Sequence, residues 1–197
     1  MFRTFHFGEL KSLELLYEQL KKCYELYQVH DSSLADYLKL LLKESQRHFN
    51  QRGIKSDEGK ILSLEAELTT SERGIHPYTL HLVSTGKRKM EEMVQYKILQ
   101  ELEEIFRIKL QNHQLQLQTS YTLCQQIITL ALNSNFVSET EIMTAINQHN
   151  TEGLWKKIFQ HNELLPSCRV LVNQVSEPDI LLLIQEVAEN LIQLNQK

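Results

Sequence analysis

Residues 87–133 read KRKMEEMVQYKILQELEEIFRIKLQNHQLQLQTSYTLCQQIITLALN and contain neither glycine nor proline. Nothing in the backbone chemistry of this stretch therefore forces a break in a helix. In its first half, apolar side chains recur at helical spacing and charged side chains lie between them. The apolar positions are Met93, Tyr96, Leu99, Leu102, Phe106 and Leu110. We predict one long helix here, or two helices stacked end to end, whose apolar stripe other helices must cover.

The composition favours helices in the rest of the chain as well. The 197 residues include only six glycines and three prolines, whereas an all-β protein needs a turn residue about every ten positions. Hydrophobic residues make up 42% and charged residues 23%, so we expect a folded globular protein rather than a disordered one. We predict an all-α fold in a single helical domain over residues 1–197, an irregular bundle of roughly six to eight helices around the long central one.

Residues 74–86 are the best candidate for a subdomain boundary. Glycine or proline occupies three positions within them, and both residue types disfavour the interior of a helix. A boundary here would separate residues 1–73, interpreted as a helical hairpin followed by a third helix, from residues 87–197, interpreted as a C-terminal helical bundle.

Three stretches leave the choice between helix and strand open. Residues 78–83 and 115–123 alternate apolar and polar side chains, which is the period of a half-buried strand. Residues 169–175 contain three valines and one leucine, which suit either structure. We favour helix over 115–123 because the apolar residues that follow continue without a turn residue. The alternative is a minor strand pair formed by residues 78–83 and 115–123.

The C-terminal part carries two clear helix starts. Ser138 is followed by Glu141, and Ser176 by Asp179, both at the spacing of a capping box. The final helix then has five consecutive apolar residues, so neighbours must surround it, either inside the bundle or at a subunit contact. Its further apolar positions are Val187, Leu191 and Leu194.

The charge pattern argues against nucleic acid as a partner. The net charge is −4, and the first 113 residues carry 17 basic and 17 acidic side chains, whereas the remainder carries 4 and 8. A duplex-binding surface needs a basic excess, and only Lys87-Arg88-Lys89 approaches one. A nucleic-acid-binding regulator is therefore the weakest alternative, and it would require this triplet to share a face with Lys156 and Lys157.

Neither a membrane span nor a disulfide framework is expected. The longest apolar run has five residues, far too few to cross a bilayer. The three cysteines lie far apart and form no CxxC motif, which is typical of a protein in a reducing compartment. The aromatic N-terminus lacks the continuous apolar segment of a secretion signal. We therefore expect a cytoplasmic protein.

Eight histidines raise the question of a metal site. None is preceded by glutamate at the spacing of di-iron bundles, and no HExxH pair occurs. The nucleophile elbow and the dinucleotide fingerprint are missing too. We therefore expect no metal site, no cofactor and no catalytic residue.

Six side chains near predicted breaks are candidates for binding a small ligand or an anion. Cys168 follows Pro166 at a predicted helix start, where the helix amides and Arg169 would lower the pKa of its thiol. A free cysteine is nevertheless more often a small buried side chain. The basic triplet either holds an anion or pairs with glutamates one turn further along. The candidates are His76, His81, Lys87, Arg88, Lys89 and Cys168.

The leading hypothesis is a non-enzymatic protein–protein interaction or scaffold module, with another protein or a second copy of the chain as its partner. Its basis is that the first and last helices carry more apolar side chains than one stripe needs. The interface candidates are Tyr17, Leu20, Tyr24, Tyr27, Leu181 and Ile184. The main alternative is a small-ligand-binding or enzymatic bundle, whose polar pocket would use His76, His81, Lys87 and Cys168.

Overall fold

The computed structural model describes residues 3–83, 85–148 and 150–195, and for residues 192–195 it describes the backbone alone. Eight α-helices make up most of the described residues, and the prediction of an all-α fold around a long helix is confirmed. They are α1 (His6–Gln28), α2 (Leu34–Gln51), α3 (Lys55–Glu72), α4 (Lys87–Asn133), α5 (Glu139–Asn147), α6 (Thr151–Phe159), α7 (Leu165–Gln174) and α8 (Glu177–Asn195). The central helix α4 is one continuous helix of 47 residues.

The prediction of helix over residues 115–123 is confirmed, because this stretch lies inside α4, and the alternative of a strand pair with residues 78–83 is therefore wrong. Burial here follows the helical period: Leu117 and Ser120, three positions apart, are both buried, whereas Leu115 is 67% exposed. Leu115 and Leu117 lie two positions apart, but they are not both buried on one face as they would be in a half-buried strand. The stretch that begins at Arg169, open between helix and strand in the sequence, is helical as part of α7.

The chain folds as two compact units. The terminal unit combines Met1–Lys11 with Gln111–Lys197, and the middle unit comprises Ser12–Leu110. Helices α1 and α4 therefore each contribute residues to both units. Residues 74–86 fall within the middle unit, and the subdomain boundary predicted there stays a prediction.

Leucine side chains make up most of the core of the middle unit, to which α1, α2, α3 and α4 all contribute. Phe49 of α2 and Phe106 of α4 are its largest fully buried side chains. An ion pair joins α3 to α4, since Lys109 Nζ lies 2.5 Å from Oδ2 of Asp57, which is 7% exposed. A carboxylate with so little access to water needs a partner of this kind.

The core of the terminal unit is built by α5 to α8 together with the second half of α4. Ile180 and Ile184 of α8 are each 1% exposed, and Val187 is buried in the same core. Leu191 is partly buried, and the side chain of Leu194 lies outside the described residues. The neighbours that the sequence requires around the final helix are therefore helices of the same chain.

Two local signals in the C-terminal part appear in the structure as predicted. Ser138 Oγ accepts a hydrogen bond from the Glu141 backbone N–H at 3.2 Å, and Glu141 Oε2 accepts one from the Ser138 backbone N–H at 2.9 Å. The capping box at the start of α5 is therefore confirmed. Pro166 lies in the first turn of α7, where its missing N–H is not needed.

The buried carboxylate of Asp179 caps two helices at once. Its Oδ2 accepts hydrogen bonds from the Ser176 hydroxyl at 2.6 Å and from the His6 backbone N–H at 3.0 Å. Its Oδ1 accepts the Phe7 backbone N–H at 3.0 Å. The bond to Ser176 belongs to the start of α8, whereas His6 and Phe7 begin α1. Since Asp179 is 0% exposed, water does not take over these bonds.

Asp179→Ala should lower the free energy of unfolding of the terminal unit by about 3 kcal/mol, because it leaves N–H groups at two helix starts without an acceptor. Ser138→Ala is the control, since it removes an exposed cap and should cost about 1 kcal/mol. Urea denaturation followed by the fluorescence of Trp155, the one tryptophan of the chain and a core residue of this unit, measures both. A loss no larger than that of Ser138→Ala would show that the double cap contributes little.

Candidate interaction site

The basic triplet lies exposed at the start of α4, and two of its residues are paired along their own helix. Lys87 Nζ lies 3.4 Å from Glu91 Oε1, and Arg88 Nε lies 3.1 Å from Glu92 Oε1. Of the two roles that the sequence left open for the triplet, binding an anion or pairing with glutamates one turn further along, the structure shows the second. Two of the three positive charges are therefore compensated by neighbouring side chains.

His76 and His81 lie together in the connection between α3 and α4. The His76 backbone N–H donates to the His81 carbonyl oxygen at 2.9 Å. The Nδ1 atom of His76 accepts the Tyr78 backbone N–H at 3.3 Å, and the two rings pack edge to face. The side chain of His81 is exposed. The structure thus brings the two histidines into one short loop with Tyr78.

Cys168 belongs to the terminal unit, where it is fully buried, whereas the other five ligand candidates belong to the middle unit. Burial raises the pKa of its thiol to about 11. This direction is opposite to the lowered pKa that a helix start and Arg169 suggested, because the loss of water around the sulfur outweighs the lowering by its backbone hydrogen bond. Cys168 is thus a buried side chain of the core, which is the interpretation that the sequence favoured. A ligand-binding role for it stays a prediction.

The predicted interface residues lie on faces that the chain itself covers. Leu20 and Ile184 are each 1% exposed and belong to the cores of the middle and the terminal unit. Leu181 and the three interface tyrosines of α1 are partly buried against the same cores. One of these tyrosines, Tyr24, also donates its hydroxyl to Glu103 Oε2 at 2.6 Å. The apolar surplus of α1 and α8 is thus used within the chain.

The two most exposed large apolar side chains among the described residues lie in one segment, which we call the 75–83 loop (residues 75–83). Leu82 is 82% exposed and Leu80 is 74% exposed. The segment contains no Asp, Glu, Lys or Arg. It therefore presents two leucines to the solvent without a charged residue between them or beside them in the segment. Exposed apolar side chains are candidates for an interaction site where they form a patch.

Backbone hydrogen bonds close the 75–83 loop at its ends. The Val83 N–H donates to the Gly74 carbonyl oxygen at 2.8 Å, and Leu82 forms an antiparallel bridge with Ile75. Within the loop, the Leu80 N–H donates to the His76 carbonyl oxygen at 2.8 Å. The segment is therefore a closed turn with its own hydrogen bonds.

Tyr78 ties the 75–83 loop to α3 and α4. Its hydroxyl donates to Glu67 Oε2 at 2.8 Å, and Lys97 Nζ donates to the same oxygen at 2.9 Å while lying 4.6 Å from the centre of the Tyr78 ring. Burial alone would lower the pKa of Lys97, but its contacts with Tyr78, Glu67 and Glu101 raise that pKa above its ordinary value. The lysine therefore stays charged and attracts both the carboxylate and the ring.

Leu80 adopts a backbone conformation that costs free energy. Its φ of 57° lies in the left-handed region, where a residue other than glycine, asparagine or aspartate costs about 1–2 kcal/mol. Burial recovers little of this cost, because the side chain is 74% exposed. Asparagine or glycine would adopt the same backbone more easily. Neither the backbone conformation nor the burial of Leu80 therefore accounts for a leucine at this position.

Fold and loop together define an all-helical protein whose candidate site is an exposed apolar loop. Within residues 3–83, 85–148 and 150–195, no group of three or more His, Cys, Asp or Glu side chains is placed to hold a metal ion. The described helices include none that combines the length and the apolar character of a membrane span. Comparison of the chain with family models, with curated proteins and with solved structures gives no match.

Leu80→Asn should raise the free energy of unfolding of the middle unit by about 0.5–1 kcal/mol, because asparagine tolerates the left-handed conformation. Leu62→Asn is the matched control, since Leu62 is another exposed leucine but lies inside α3. This change should lower the free energy of unfolding by about 0.5 kcal/mol through helix propensity. Urea denaturation followed by far-ultraviolet circular dichroism compares the two. Equal losses would mean that Leu80 supports the fold after all.

Proposed function

We propose that this protein is a non-enzymatic protein-binding module and that the 75–83 loop is its contact surface. The observation that carries the proposal is the exposure of Leu80 and Leu82 on a closed loop, one of them in a costly backbone conformation. Apolar side chains that are held in one conformation bind with less loss of entropy than those of a mobile segment.

A second copy of the chain is the partner that this loop suits best. Most soluble homo-oligomers have two-fold symmetry, in which a surface patch contacts the same patch on its partner. A charged patch would repel itself in such a contact, but residues 75–83 carry no formal charge. The charges that do touch the loop, Lys97 and Glu67, are paired with each other. Because two short loops bury little area, we expect a weak dimer with a Kd of about 10–100 µM.

Sedimentation velocity between about 1 and 500 µM protein tests this proposal, because that range brackets the expected Kd. The loop variant Leu80→Asn/Leu82→Asn removes both apolar contacts and should stay monomeric throughout. The control variant Leu15→Asn/Leu62→Asn changes two leucines that are 61% and 44% exposed on α1 and α3. The wild type and the control should both approach the dimer mass as the concentration rises.

The two ways in which this proposal fails are distinct. A loop variant that dimerises like the wild type would assign the contact to another surface. A wild type that stays monomeric at the highest concentration would exclude the second copy as the partner and overturn the proposal in this form. Asparagine suits the backbone of Leu80, and circular dichroism of the loop variant separates unfolding from the loss of the contact.

A second candidate function, the binding of a small apolar ligand, is favoured by a cleft in the terminal unit. The cleft has a volume of about 450 Å³, within the range of ligand sites. Trp155, Phe159, Val172 and Ile180 supply apolar lining, and Arg3 is among its charged residues. The cleft has two basic side chains, Arg3 and Lys156, and one acidic side chain, Glu177. An apolar carboxylate would match this lining, because a guanidinium group binds a carboxylate with two hydrogen bonds. None of the ligand-binding residues predicted from the sequence is among the lining residues.

Octanoate should bind this cleft and change the emission of Trp155, which reports on it alone because the chain has one tryptophan. Val172→Phe fills the cleft and should weaken binding at least about tenfold. Val170→Phe is the matched control, since Val170 lies on the same helix, is 48% exposed and should leave binding unchanged. Fluorescence titration measures all three proteins. An emission change that never saturates, or equal weakening in both variants, would reject the cleft as a binding site.

A further inference from the structure

Two histidines that neither candidate function uses face each other in the terminal unit. His6 is the first residue of α1, and His113 lies in α4. Their Nδ1 atoms are 2.9 Å apart, and their ring centroids are 5.1 Å apart with an angle of 61° between the ring planes. A contact between two Nδ1 atoms requires one ring to carry its proton there and the other to accept it.

The backbone is held in place at both histidines. The His6 N–H donates at 3.0 Å to the carboxylate of Asp179, which is fully buried. His113 lies well inside a continuous helix of 47 residues, at least twenty positions from either end. Two ligands that are already held side by side lose little conformational freedom when they bind a metal ion.

The distance between the two nitrogen atoms, which is that of a hydrogen bond, also suits neighbouring ligands of one metal ion. Metal–imidazole bonds are about 2.0–2.1 Å long, so nitrogen atoms 2.9 Å apart subtend an angle of about 90° at a shared metal ion. A tetrahedral ion such as Zn²⁺ would need them about 3.3–3.4 Å apart. An angle of about 90° is that of neighbouring positions in square-planar and tetragonal complexes, the geometry of Cu²⁺ and Ni²⁺ with nitrogen ligands.

We propose that His6 and His113 form a two-histidine site for Cu²⁺, and more weakly for Ni²⁺, with water in the remaining positions. The metal ion takes the place of the hydrogen atom between the two Nδ1 atoms, and the rings turn so that both lone pairs converge on it. Each ring then carries its proton on Nε2. A neutral pair releases no proton in this exchange, and no electron is transferred.

Asp179 accepts a hydrogen bond from the backbone of His6 although it lies far from both histidines in the sequence. We assign it the role of positioning His6, not of binding the metal ion. Both of its oxygen atoms already accept hydrogen bonds, from His6, Phe7 and Ser176. The metal ion would therefore have two protein ligands and join the first turn of α1 to α4 within the terminal unit. With two ligands we expect a Kd on the order of 10 µM for Cu²⁺.

Isothermal titration of the full chain with copper sulfate tests the site. The wild type should bind one equivalent, and His6→Gln and His113→Gln should each weaken binding at least about tenfold. His81→Gln is the control, because it removes an exposed histidine of the middle unit and should leave binding unchanged. The electron paramagnetic resonance spectrum of the copper-loaded wild type should show coupling to two nitrogen nuclei.

Nickel gives a second readout that does not depend on copper chemistry. Because Ni²⁺ binds the folded unit, it should raise the urea midpoint of the terminal unit, followed by Trp155, in the wild type and not in His6→Gln. Circular dichroism without metal confirms that each variant is folded.

Four results would overturn the proposal: equal copper affinity in the wild type and His6→Gln, equal loss in His81→Gln, coupling to a single nitrogen, or tighter binding of Zn²⁺ than of Cu²⁺.

Discussion

The terminal unit depends on one carboxylate that caps two helices. Asp179 stands in the first turn of α8, where a negative charge is favourable for its own helix, and it also accepts the backbone N–H groups of His6 and Phe7. Because Asp179 is fully buried, these bonds are not exchanged for bonds to water while the unit stays folded. The first turn of α1 is therefore part of the same cooperative structure as the C-terminal helices, and the ring of His6 is held where it meets His113.

The helical class could be predicted from the sequence because it depends on local chemistry. The lack of glycine and proline in the central stretch and the capping box at Ser138 act on neighbouring residues, and the structure contains the corresponding helices α4 and α5. The alternation over residues 115–123 misleads for a physical reason. Leu117 shares its buried face with Ser120, a polar residue that a hydrophobicity pattern places at the surface, whereas Leu115 is largely exposed.

The candidate sites could not be predicted, because they depend on which surfaces the folded chain leaves open. An apolar surplus on α1 and α8 indicates that neighbours are needed, but it does not indicate whether they belong to the same chain, and Leu20 and Ile184 are both buried within it. Leu80 and Leu82 lie in a stretch that alternates like a covered strand, and among the described residues it pairs only through a single bridge. His6 and His113 are 107 residues apart in the sequence, so a local sequence motif could not predict their contact.

In the 75–83 loop, Tyr78 is attached to the neighbouring helices, whereas Leu80 and Leu82 are exposed. The side chains that hold the loop are therefore different from those that we propose to bind a partner. Tyr78, Glu67 and Lys97 attach the loop to α3 and α4. Both helices contribute side chains to the core of the middle unit. The backbone of Leu80 therefore stays in the left-handed region, at a cost of about 1–2 kcal/mol, without loosening the loop. In the proposed binding module, a loop whose backbone is held in this way would present Leu80 and Leu82 to a partner without first losing backbone conformational entropy, whereas a flexible connection of the same sequence would have to lose it.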